Sequence, residues 1–572
     1  MVKFNLSEVF AAVAAAVPDR EFIVWRDRRI SYGAADRRSS GFAGFLAARG
    51  FGCRIERSSL AGHASGQDHV GIYLRNCTEY PEILVGAYRS RTVPFNVNYR
   101  YVEKELVYLL RDAQVKVLVY QAEFAPRVAA ILDELPGPVL LVQVADGSDN
   151  ALLPGAVAYE DAVATPPPPD GLPAPRGEDL YLLYTGGTTG MPKGVLWQQD
   201  DIYMAAMGGT RFGTGEQLGS YAELVESARA TEGYYRLVVA APFMHGAGGW
   251  LLFQTVTHGG TLVLPSVTDR FDPASVLRAV SRESVIALPI VGDAMARPIA
   301  GELEAGHYDL GTLAAVHNAG APLTPTVRQR LMTALGREVM VIDSVGSSES
   351  GIQMTQVYGS ADPEAGGNFA PQSSDTAIVD EEMSRVLTEP GSHGWLARRG
   401  RIPLGYLDDE AKTARTFPVI DGQRWAIAGD RANLRDGGQI ELLGRDNLTI
   451  NSGGEKIFVE EVERAIAAHS GVADVVVVGR TSSRWGSEVV AIVELMDDAV
   501  TDAELLAEGA KHIARYKLPK AILRCSEIVR SPTGKADYRW AQDFAVRATS
   551  TASSPPESTP RFPRREDAPW PS

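Results

Sequence analysis

The sequence predicts an α/β protein with a large N-terminal domain of βαβ subdomains and a small α+β domain after it. Three observations lead to this expectation. Strand and helix patterns alternate over residues 1–160, which is typical of parallel sheets covered by helices. A glycine-rich loop between two buried strands follows a proline-rich segment. A second compact set of strands and helices begins near Gly444.

The first elements follow one another in βαβ order. Residues 22–32 (FIVWRDRRISY) predict a β-hairpin, and GAADRRSSGFAGFLAARG predicts the helix after it. The polar stretch RIERSSLAGHASGQD is expected to be a surface insertion. The apolar strings VGIYL and VKVLVY then predict two buried strands with a helix between them, which indicates a mostly parallel sheet.

Composition places three boundaries along the chain. Residues 1–443 form the first domain, which contains a proline-rich connector at 163–176 (VATPPPPDGLPAPR) that we expect to be extended and solvent-facing. Residues 444–546 form the second, with ADVVVVG and EVVAIVEL as strands and VEEVERAIAAH and DAELLAEGAKHIARYK as helices. Residues 547–572 are rich in Ser, Thr and Pro without periodicity, so we expect a disordered tail.

Composition also excludes several classes of protein. With 45% hydrophobic and 22% charged residues, the chain is neither fibrous nor wholly disordered. The net charge of −15 opposes general nucleic-acid binding, so an anionic ligand must be met by local donors. The 3 cysteines are too few for a disulfide framework, and no apolar run is long enough to span a membrane. We therefore expect a cytoplasmic protein, while peripheral membrane contact and oligomeric state stay open.

The most informative segment is DLYLLYTGGTTGMPKGVLW, residues 179–197. Its glycines allow backbone N–H groups to converge on an anion, Thr185, Thr188 and Thr189 add hydroxyl donors, and Lys193 adds a positive charge. The segment is not a Walker loop, because Pro192 precedes the lysine and a strand follows it. The pattern predicts a phosphate-binding loop; a plain glycine-rich hairpin is the alternative.

The string YTGGTTGMPKG resembles, over its full length, the phosphate loop of the adenylate-forming (AMP-binding) superfamily, which includes acyl-CoA synthetases, firefly luciferase and the adenylation domains of peptide synthetases. The strings APFMHGAGGW, HNAGAPL, DSVGSSESG, WAIAGD, GRDNLTINSGGEK and VRSPTGKADYRW resemble further motifs of that family in the family's order. The resemblance covers residues 5–545. It implies a luciferase-like N-terminal domain and a mobile C-terminal domain.

The resemblance implies a set of residues that bind ATP and AMP. The segment around Gly320 would lie against adenine, the carboxylate of Asp430 would accept both ribose hydroxyls, and Arg445 would lie near the ribose. The implied set is Thr185, Gly186, Gly187, Thr188, Thr189, Gly190, Lys193, Gly320, Ala321, Pro322, Asp343, Ser348, Asp430, Arg445 and Lys535.

The same resemblance implies Mg²⁺ as the cofactor. Glu349 occupies the acidic position that holds Mg²⁺ on the ATP phosphates in the family, and Thr188 is the second implied ligand. Two residues of the segment DSVGSSESG depart from the family pattern. Val345 replaces an aromatic residue that would stack on adenine, whereas Ser348 replaces Thr and keeps a hydroxyl.

Catalytic and CoA-binding residues are implied in the same way. Lys535 matches the catalytic lysine of the C-terminal motif, and His245 with Thr188 completes the implied catalytic set. His245 would shape the acyl site, and the small residues after it would leave room for a wide acyl group; a structural core histidine is the alternative. A lipase oxyanion loop is excluded, because no G-x-S-x-G string occurs.

The loop that would line the pantetheine tunnel comprises Ser452, Gly453 and Gly454. Leu448 stands at the hinge, where the family usually has Asp or Lys, so the hinge motion is inferred from its neighbours.

We conclude from the sequence that the protein is an AMP-forming acid–thiol ligase with ATP and CoA as co-substrates. The strings VNYRYVEKEL, VGDAMARP and SPTGKADYRW resemble actinobacterial acyl-CoA synthetases of steroid side-chain degradation, which implies a lipid or steroid side-chain acid. Two alternatives stay open. One is an adenylate-forming enzyme that passes the acyl group to a carrier protein, and the other is a non-catalytic fatty-acid uptake protein.

Overall fold

The computed structural model describes residues 2–169, 171–185, 192–211, 214–359, 368–445, 448–452, 455–482, 486–497, 499–530 and 535–551. Contacts within the chain divide it into two compact units. The first comprises residues 1–443 with a short segment at 532–535, and the second comprises residues 444–531 and those after 535.

The first unit alternates helices and strands along most of its length. Its helices are α1 (Leu6–Ala16), α2 (Tyr32–Ala48), α3 (Glu79–Arg89), α4 (Glu103–Asp112), α5 (Ala125–Ile131), α6 (Tyr159–Val163), α7 (Gln199–Ala206), α8 (Tyr221–Ala230), α9 (Gly246–Thr257), α10 (Pro273–Arg282), α11 (Gly292–Ala305), α12 (Pro325–Leu335) and α13 (Glu410–Thr416). Its strands up to residue 290 are β1 (Glu21–Trp25), β2 (Arg28–Ser31), β3 (His69–Tyr73), β4 (Val93–Asn96), β5 (Val115–Gln121), β6 (Leu140–Val144), β7 (Val157–Ala158), β8 (Leu180–Thr185), β9 (Lys193–Gln198), β10 (Arg236–Val238), β11 (Thr261–Leu264) and β12 (Ala287–Ile290).

The later strands of this unit are mostly antiparallel. They are β13 (Ala315–Ala319), β14 (Met340–Ser347), β15 (Gly351–Tyr358), β16 (Asn368–Pro371), β17 (Thr376–Val379), β18 (Val386–Leu387), β19 (His393–Arg399), β20 (Gly405–Tyr406), β21 (Val419–Ile420), β22 (Gln423–Ala426), β23 (Asp430–Leu434) and β24 (Ile440–Arg445). The predicted hairpin, the helix after it and the strands around VGIYL and VKVLVY are confirmed as β1–β2, α2, β3 and β5.

Three sheets organise the first unit. In the largest, strands β14-β13-β12-β10-β11-β1 are adjacent and parallel, and antiparallel strands extend both ends. A second sheet, β4-β3-β5-β6-β7, is parallel throughout, whereas β20-β9-β8 is antiparallel. Parallel strands separated by helices are the βαβ units that the sequence predicted.

The proline-rich connector lies over helix α2. Its described residues are exposed or half-buried, as expected for a surface connector. Its backbone nevertheless contacts the helix closely: a Cβ at Gly41 would lie 1.8 Å from the carbonyl oxygen of Val163, and one at Gly44 would lie 2.9 Å from that of Pro166. Glycine is required at both positions because any side chain would overlap the connector.

The second unit is a compact α+β arrangement. Its elements are β25 (Ile450–Ser452), β26 (Glu455–Ile457), α14 (Val459–Ala467), β27 (Val472–Ser482), β28 (Gly486–Leu495), α15 (Asp502–His512), β29 (Ala521–Arg524) and α16 (Tyr538–Thr551). The long β27–β28 hairpin carries alternating buried valines, so both of its faces are covered by apolar side chains.

Two expectations about this unit are corrected. Helix α16 continues to Thr551, so the tail expected from residue 547 begins inside a helix. Residues 547–551 have no apolar periodicity, but they extend a helix whose earlier residues Ala541 and Ala545 are buried in the core. The stretch DAELLAEGAKHIARYK is not one helix, since α15 ends at His512.

Residues 552–572 lie outside the described residues. Among the described residues, no helix has the length and apolar character needed to cross a membrane.

Candidate active site

The predicted site residues of the first unit gather at one edge of the main sheet. His245 follows strand β10, the segment around Gly320 follows β13, and Glu349 follows β14. Strands β13 and β14 are parallel neighbours and the parallel strand β12 separates β13 from β10, so the carboxyl ends of all of them share an edge. Ligands of open α/β sheets bind in the crevice outside that edge.

The phosphate-loop segment forms the predicted strand–loop–strand element. Strands β8 and β9 are antiparallel, and Thr185 pairs with Lys193 at the end of the ladder. Gly186, Gly187, Thr188, Thr189 and Gly190 were predicted to cradle phosphate and lie outside the described residues. The two ends of the loop are therefore fixed by the ladder.

Lys193 is held by an ion pair. Its Nζ lies 2.8 Å from Oδ2 of Asp409, and both side chains are partly exposed. The same pairing lowers the pKa of Asp409 below its ordinary value. Asp409 was not anticipated, although the polar string GYLDDEAKT carries it.

Glu349 lies in the tight turn between β14 and β15. Its backbone N–H donates to Oγ of Ser347 at 3.2 Å, and Gly351 closes the turn at a φ of 67°, a conformation that favours glycine. Its Oε1 accepts a 2.7 Å hydrogen bond from the hydroxyl of Tyr406. The neighbouring Ser348 carbonyl accepts from the indole N–H of Trp197 at 2.9 Å.

These contacts fit the Mg²⁺ that the resemblance implies. Tyr406 orients one carboxylate oxygen of the half-buried Glu349. Within the part of the chain that the structure describes, no three His, Cys, Asp or Glu side chains cluster as a metal cage. Mg²⁺ on a nucleotide typically takes one or two protein carboxylates and completes its shell with phosphate and water.

The predicted adenine segment is tied together by Asn318, a residue that sequence reasoning did not single out. Its amide donates to Oδ1 of Asp343 at 2.8 Å and to the carbonyl of Ala321 at 3.0 Å, while its oxygen accepts from the N–H of Gly292 at 2.7 Å. Burial raises the pKa of Asp343 to about 6, against the opposing effect of the Asn318 hydrogen bond. Gly320 turns the chain at a φ of 83°.

Val345 packs against a core cluster around Met354 and Phe369. The apolar cluster thus accommodates a valine at the position where the family has an aromatic residue.

His245 lies at the start of helix α9. Its Nε2 is buried with no hydrogen-bond partner among the described residues, and burial lowers the pKa of His245 to about 4. The imidazole is therefore neutral near pH 7. A buried polar atom without a partner is uncommon, and it favours a ligand-binding role over that of a satisfied core histidine.

Two of the three glycines after His245, Gly246 and Gly248, do not leave open space, contrary to expectation; a Cβ at Gly249 would have its nearest contact at 3.8 Å. A Cβ at Gly246 would lie 3.0 Å from a methyl group of Leu183, and one at Gly248 would lie 2.5 Å from the carbonyl oxygen of Pro242. The space beside these glycines is filled by the chain itself. They allow helix α9 to pack tightly on the preceding turn.

Asn96, another residue that the sequence did not reveal, joins the acyl-site segment to the phosphate loop. Its amide group donates to the carbonyls of Met244 at 2.6 Å and Tyr184 at 2.9 Å, and its oxygen accepts from the N–H of Tyr184 at 2.8 Å. Met244 precedes His245 and Tyr184 precedes Thr185. One side chain therefore sets the spacing between the two predicted site segments.

Asp430, the predicted ribose ligand, begins strand β23 and is half-buried. Gly429 precedes it at a φ of 96°, so the chain turns sharply into the strand. The next residue, Arg431, is fully buried, pairs with Glu381 and stacks 4.1 Å from the ring of Trp395. Asp430 is thus held on a rigid strand.

The remaining predicted site residues lie after residue 443 in the sequence. The N–H of Arg445 donates to Glu460 at 3.2 Å, Leu448 packs against the core, and Ser452 ends β25. Gly453 and Gly454 lie outside the described residues. Lys535 is exposed, and the next residue pairs with Arg530 in an isolated bridge.

Family comparison gives two matches along the chain. A family described as "AMP-binding enzyme" matches residues 10–407, and one described as "AMP-binding enzyme C-terminal domain" matches residues 461–535. The first region contains the motifs from the phosphate loop to DSVGSSESG and the second reaches Lys535, while WAIAGD and GRDNLTINSGGEK lie between the two regions.

Relatives match nearly the whole chain. The chain is 52% identical to "Medium-chain acyl-CoA ligase Mig" of Mycobacterium avium, over 95% of this chain and 98% of the relative. It is 35% identical to "3-oxocholest-4-en-26-oate--CoA ligase" of Rhodococcus rhodochrous, over 94% and 95%. It is 37% identical to "Medium/long-chain-fatty-acid--CoA/3-oxocholest-4-en-26-oate--CoA ligase" of Mycolicibacterium smegmatis, over 94% and 96%.

Solved structures share the fold. An anthranilate CoA ligase in complex with anthranoyl-AMP superposes with a TM-score of 0.76 at 21% identity, covering 96% of this chain and 99% of that one. A Mycobacterium tuberculosis fatty acyl CoA synthetase superposes with a TM-score of 0.66 at 22% identity, covering 96% and 99%. The expected α/β architecture with a large first and a small second domain is confirmed.

Proposed function

The chain belongs to the AMP-binding enzyme family, and we propose that it is an ATP-dependent acyl-CoA ligase that activates a lipid or steroid side-chain carboxylic acid through an acyl-AMP. The observation that carries this proposal is that His245 and Glu349 follow parallel strands of the main sheet, while Tyr406 and Asp409 of one short segment contact Glu349 and Lys193. The relatives that match over almost the whole chain are named as acyl-CoA ligases, which supports the same reaction.

In the first half-reaction, a carboxylate oxygen attacks the α-phosphorus of ATP and the bond to the β-phosphate breaks, so that acyl-AMP and diphosphate form. Two anions must approach each other, and fixed positive charge lowers that barrier. Lys193 and the loop it closes would hold the phosphates, and Lys535 would bridge the carboxylate and α-phosphate. Mg²⁺, when bound at Glu349, supplies further charge neutralisation on the phosphates.

In the second half-reaction, the CoA sulfur attacks the acyl carbonyl, the bond to AMP breaks, and the thiol proton passes to solvent. AMP leaves as the thioester forms. We propose that Ser452, Gly453 and Gly454 line the path of pantetheine, and that the second domain rotates between the two steps. Neutral His245 would face the acyl group without placing a charge in an apolar site.

Because Gly246 and Gly248 are packed against the chain itself, these two glycines do not widen the acyl site for a polycyclic acid. The higher identity to the medium-chain ligase than to the steroid acid ligases favours a medium-chain acid as the preferred substrate. We therefore place a medium-chain fatty acid first and a sterol side-chain acid second.

The test is AMP release, with and without CoA, on acetate, octanoate, palmitate and a 3-oxo-steroid side-chain acid. CoA-dependent AMP release that is fastest with octanoate supports the proposal as stated. A preference for the steroid acid keeps the ligase and changes its substrate. Acyl-AMP that accumulates whether or not CoA is added favours transfer to a carrier protein, and no diphosphate release with any acid favours a non-catalytic binding protein.

A further inference from the structure

The segment Gly405–Thr413 contacts both the phosphate-loop lysine and the carboxylate of Glu349, and neither the family motifs discussed above nor the resemblance assigns it a role. Strand β20 pairs with β9, and the N–H of Leu407 donates to the carbonyl of Gly194 at 2.8 Å. A Cβ at Gly405 would lie 2.6 Å from the side chain of Thr413, so the segment folds back tightly on itself. It is therefore anchored directly beside Lys193.

One end of this segment holds the carboxylate. Tyr406 is almost fully buried, and its hydroxyl donates to Oε1 of Glu349 at 2.7 Å. The Tyr406 ring is fixed on one side by Phe417 and faces the ammonium of Lys412 at 3.8 Å from its centroid. A donor with so little freedom leaves Glu349 a single orientation, as partners behind a metal ligand do.

The other end holds the lysine. Asp409 is the N-cap of helix α13, and its Oδ1 accepts from the N–H of Lys412 at 2.9 Å. This contact fixes the carboxylate, so that Oδ2 is directed at Nζ of Lys193, 2.8 Å away. The position of the ammonium is thus set by a helix cap rather than by a free surface side chain.

We propose that Gly405–Thr413 is a positioning bracket for Mg·ATP, in which Tyr406 orients the Glu349 carboxylate while Asp409 orients the Lys193 ammonium. The proposal rests on the ATP-binding role given above. Glu349 and Lys193 come from different parts of the sequence and must act on the same triphosphate. A single rigid segment that touches both fixes their separation before the nucleotide binds, which lowers the cost of ordering them.

The first test is Tyr406→Phe, which removes one hydroxyl and keeps the ring. Calorimetric binding of a non-hydrolysable ATP analogue, titrated at several Mg²⁺ concentrations, should require about tenfold more Mg²⁺ for half-maximal binding, as for other groups behind metal ligands. Binding at saturating Mg²⁺ should approach that of the wild type. The matched control is Tyr159→Phe, because Tyr159 is fully buried and donates to Glu82 at 3.0 Å.

The second test is Asp409→Asn, which keeps the helix cap and removes the charge that pairs with Lys193. We expect about three- to tenfold weaker binding of the analogue at every Mg²⁺ concentration, since a mobile ammonium must be ordered on binding. The control is Glu461→Gln, which breaks a lysine pair of similar length, Lys517 to Glu461 at 2.6 Å.

The Mg²⁺ dependence of analogue binding by Tyr406→Phe and Asp409→Asn distinguishes a positioning role from a structural one. A purely structural role would lower the stability of Tyr406→Phe and Tyr159→Phe alike without a selective rise in the Mg²⁺ requirement. Wild-type binding by both bracket variants overturns the proposal. If the wild type binds Mg·ATP but forms no thioester, the ligase proposal is wrong, and the binding data still test the positioning role of Gly405–Thr413. If the wild type binds no ATP, both the ligase proposal and the positioning role are wrong.

Discussion

The indole N–H of Trp197 donates to the carbonyl of Ser348 at 2.9 Å. Trp197 lies on the strand that leaves the phosphate loop, and Ser348 precedes Glu349 in the turn of the predicted metal position. Trp197 is fully buried and Ser348 is half-buried, so the donor side of the bond lies in the core. The two elements expected to hold the phosphates and the metal are thus joined by one side chain.

Trp197→Phe tests that link. Loss of the donor leaves the half-buried Ser348 carbonyl without this partner and creates a cavity at the fully buried Trp197, so the free energy of unfolding should fall by about 2–4 kcal/mol. The KM for ATP should rise, because the Glu349 turn is no longer tied to the loop strand. Urea unfolding and steady-state kinetics measure both. Trp540→Phe, in helix α16 of the second unit, is the control; an equal KM change there would contradict the assignment.

Asn96→Ala removes the side chain that joins the acyl-site segment to the phosphate loop. Three hydrogen bonds are lost, so we expect the unfolding free energy to fall by about 2–3 kcal/mol. The rate of acyl-AMP formation should fall in addition, because the acyl and phosphate segments lose their fixed spacing. Asn433→Ala, which removes a bond to Glu441, is the control. Equal rates in wild type and Asn96→Ala would show that the spacing is set elsewhere.

Glu349→Ala should nearly abolish acid-dependent diphosphate exchange while the fold stays intact. The side chain is half-buried and lies in a turn held by Ser347 and Gly351, so its removal changes little of the packing. Exchange is assayed with unfolding measured in parallel. Glu382→Ala, at an exposed glutamate, is the control. Near-wild-type exchange in Glu349→Ala would remove this residue from the metal assignment.

Lys535→Ala should separate the two half-reactions. The exposed ammonium is expected to act only when carboxylate and α-phosphate meet, so acyl-AMP formation should slow on the order of a hundredfold to a thousandfold. Conversion of premade acyl-AMP and CoA into thioester should stay close to wild type. Lys511→Ala, at an exposed lysine of the second domain, is the control.

Gly453→Leu should show the reverse pattern, because a side chain there would obstruct the expected path of pantetheine. Equal losses in both half-reactions for Lys535→Ala and Gly453→Leu would argue against alternation of the second domain and for one fixed geometry.

The pH dependence of stability should report on Asp343. Because burial raises the pKa of this carboxyl to about 6, the folded protein binds its proton more tightly than the unfolded chain does. Its stabilising contribution is complete below pH 4 and is lost as the pH rises through 6. Asp343→Asn should therefore gain stability relative to the wild type between pH 4 and 7, by at most about 3 kcal/mol.

Urea unfolding across that pH range measures the difference, with the exposed Asp133→Asn as the control. A constant difference between wild type and Asp343→Asn would mean that Asp343 does not titrate in this window.

The sequence predicted what depends on local pattern. Strand and helix order, the strand–loop–strand element around Lys193 and the change of character at Gly444 follow from hydrophobic periodicity and turn residues. The end of the last helix was missed, because a polar Ser/Thr segment that extends an existing helix has no periodic signature. The role of Gly246 and Gly248 was also misjudged, since sequence cannot tell an empty space from one filled by another part of the chain.

By itself, the sequence determined the architecture and the motif residues, because each motif is contiguous and carries its chemistry within a few positions. Only the tertiary structure decided which other side chains position these motif residues. Asn96, Asn318, Tyr406 and Asp409 lie outside the predicted site set, yet each contacts a predicted site residue or its immediate neighbour. Their hydrogen bonds join residues far apart in the chain, so these pairings exist only once the chain has folded. Asn318 meets Asp343 across the parallel strands β13 and β14, whereas the antiparallel pairing of β20 with β9 brings Asp409 to Lys193.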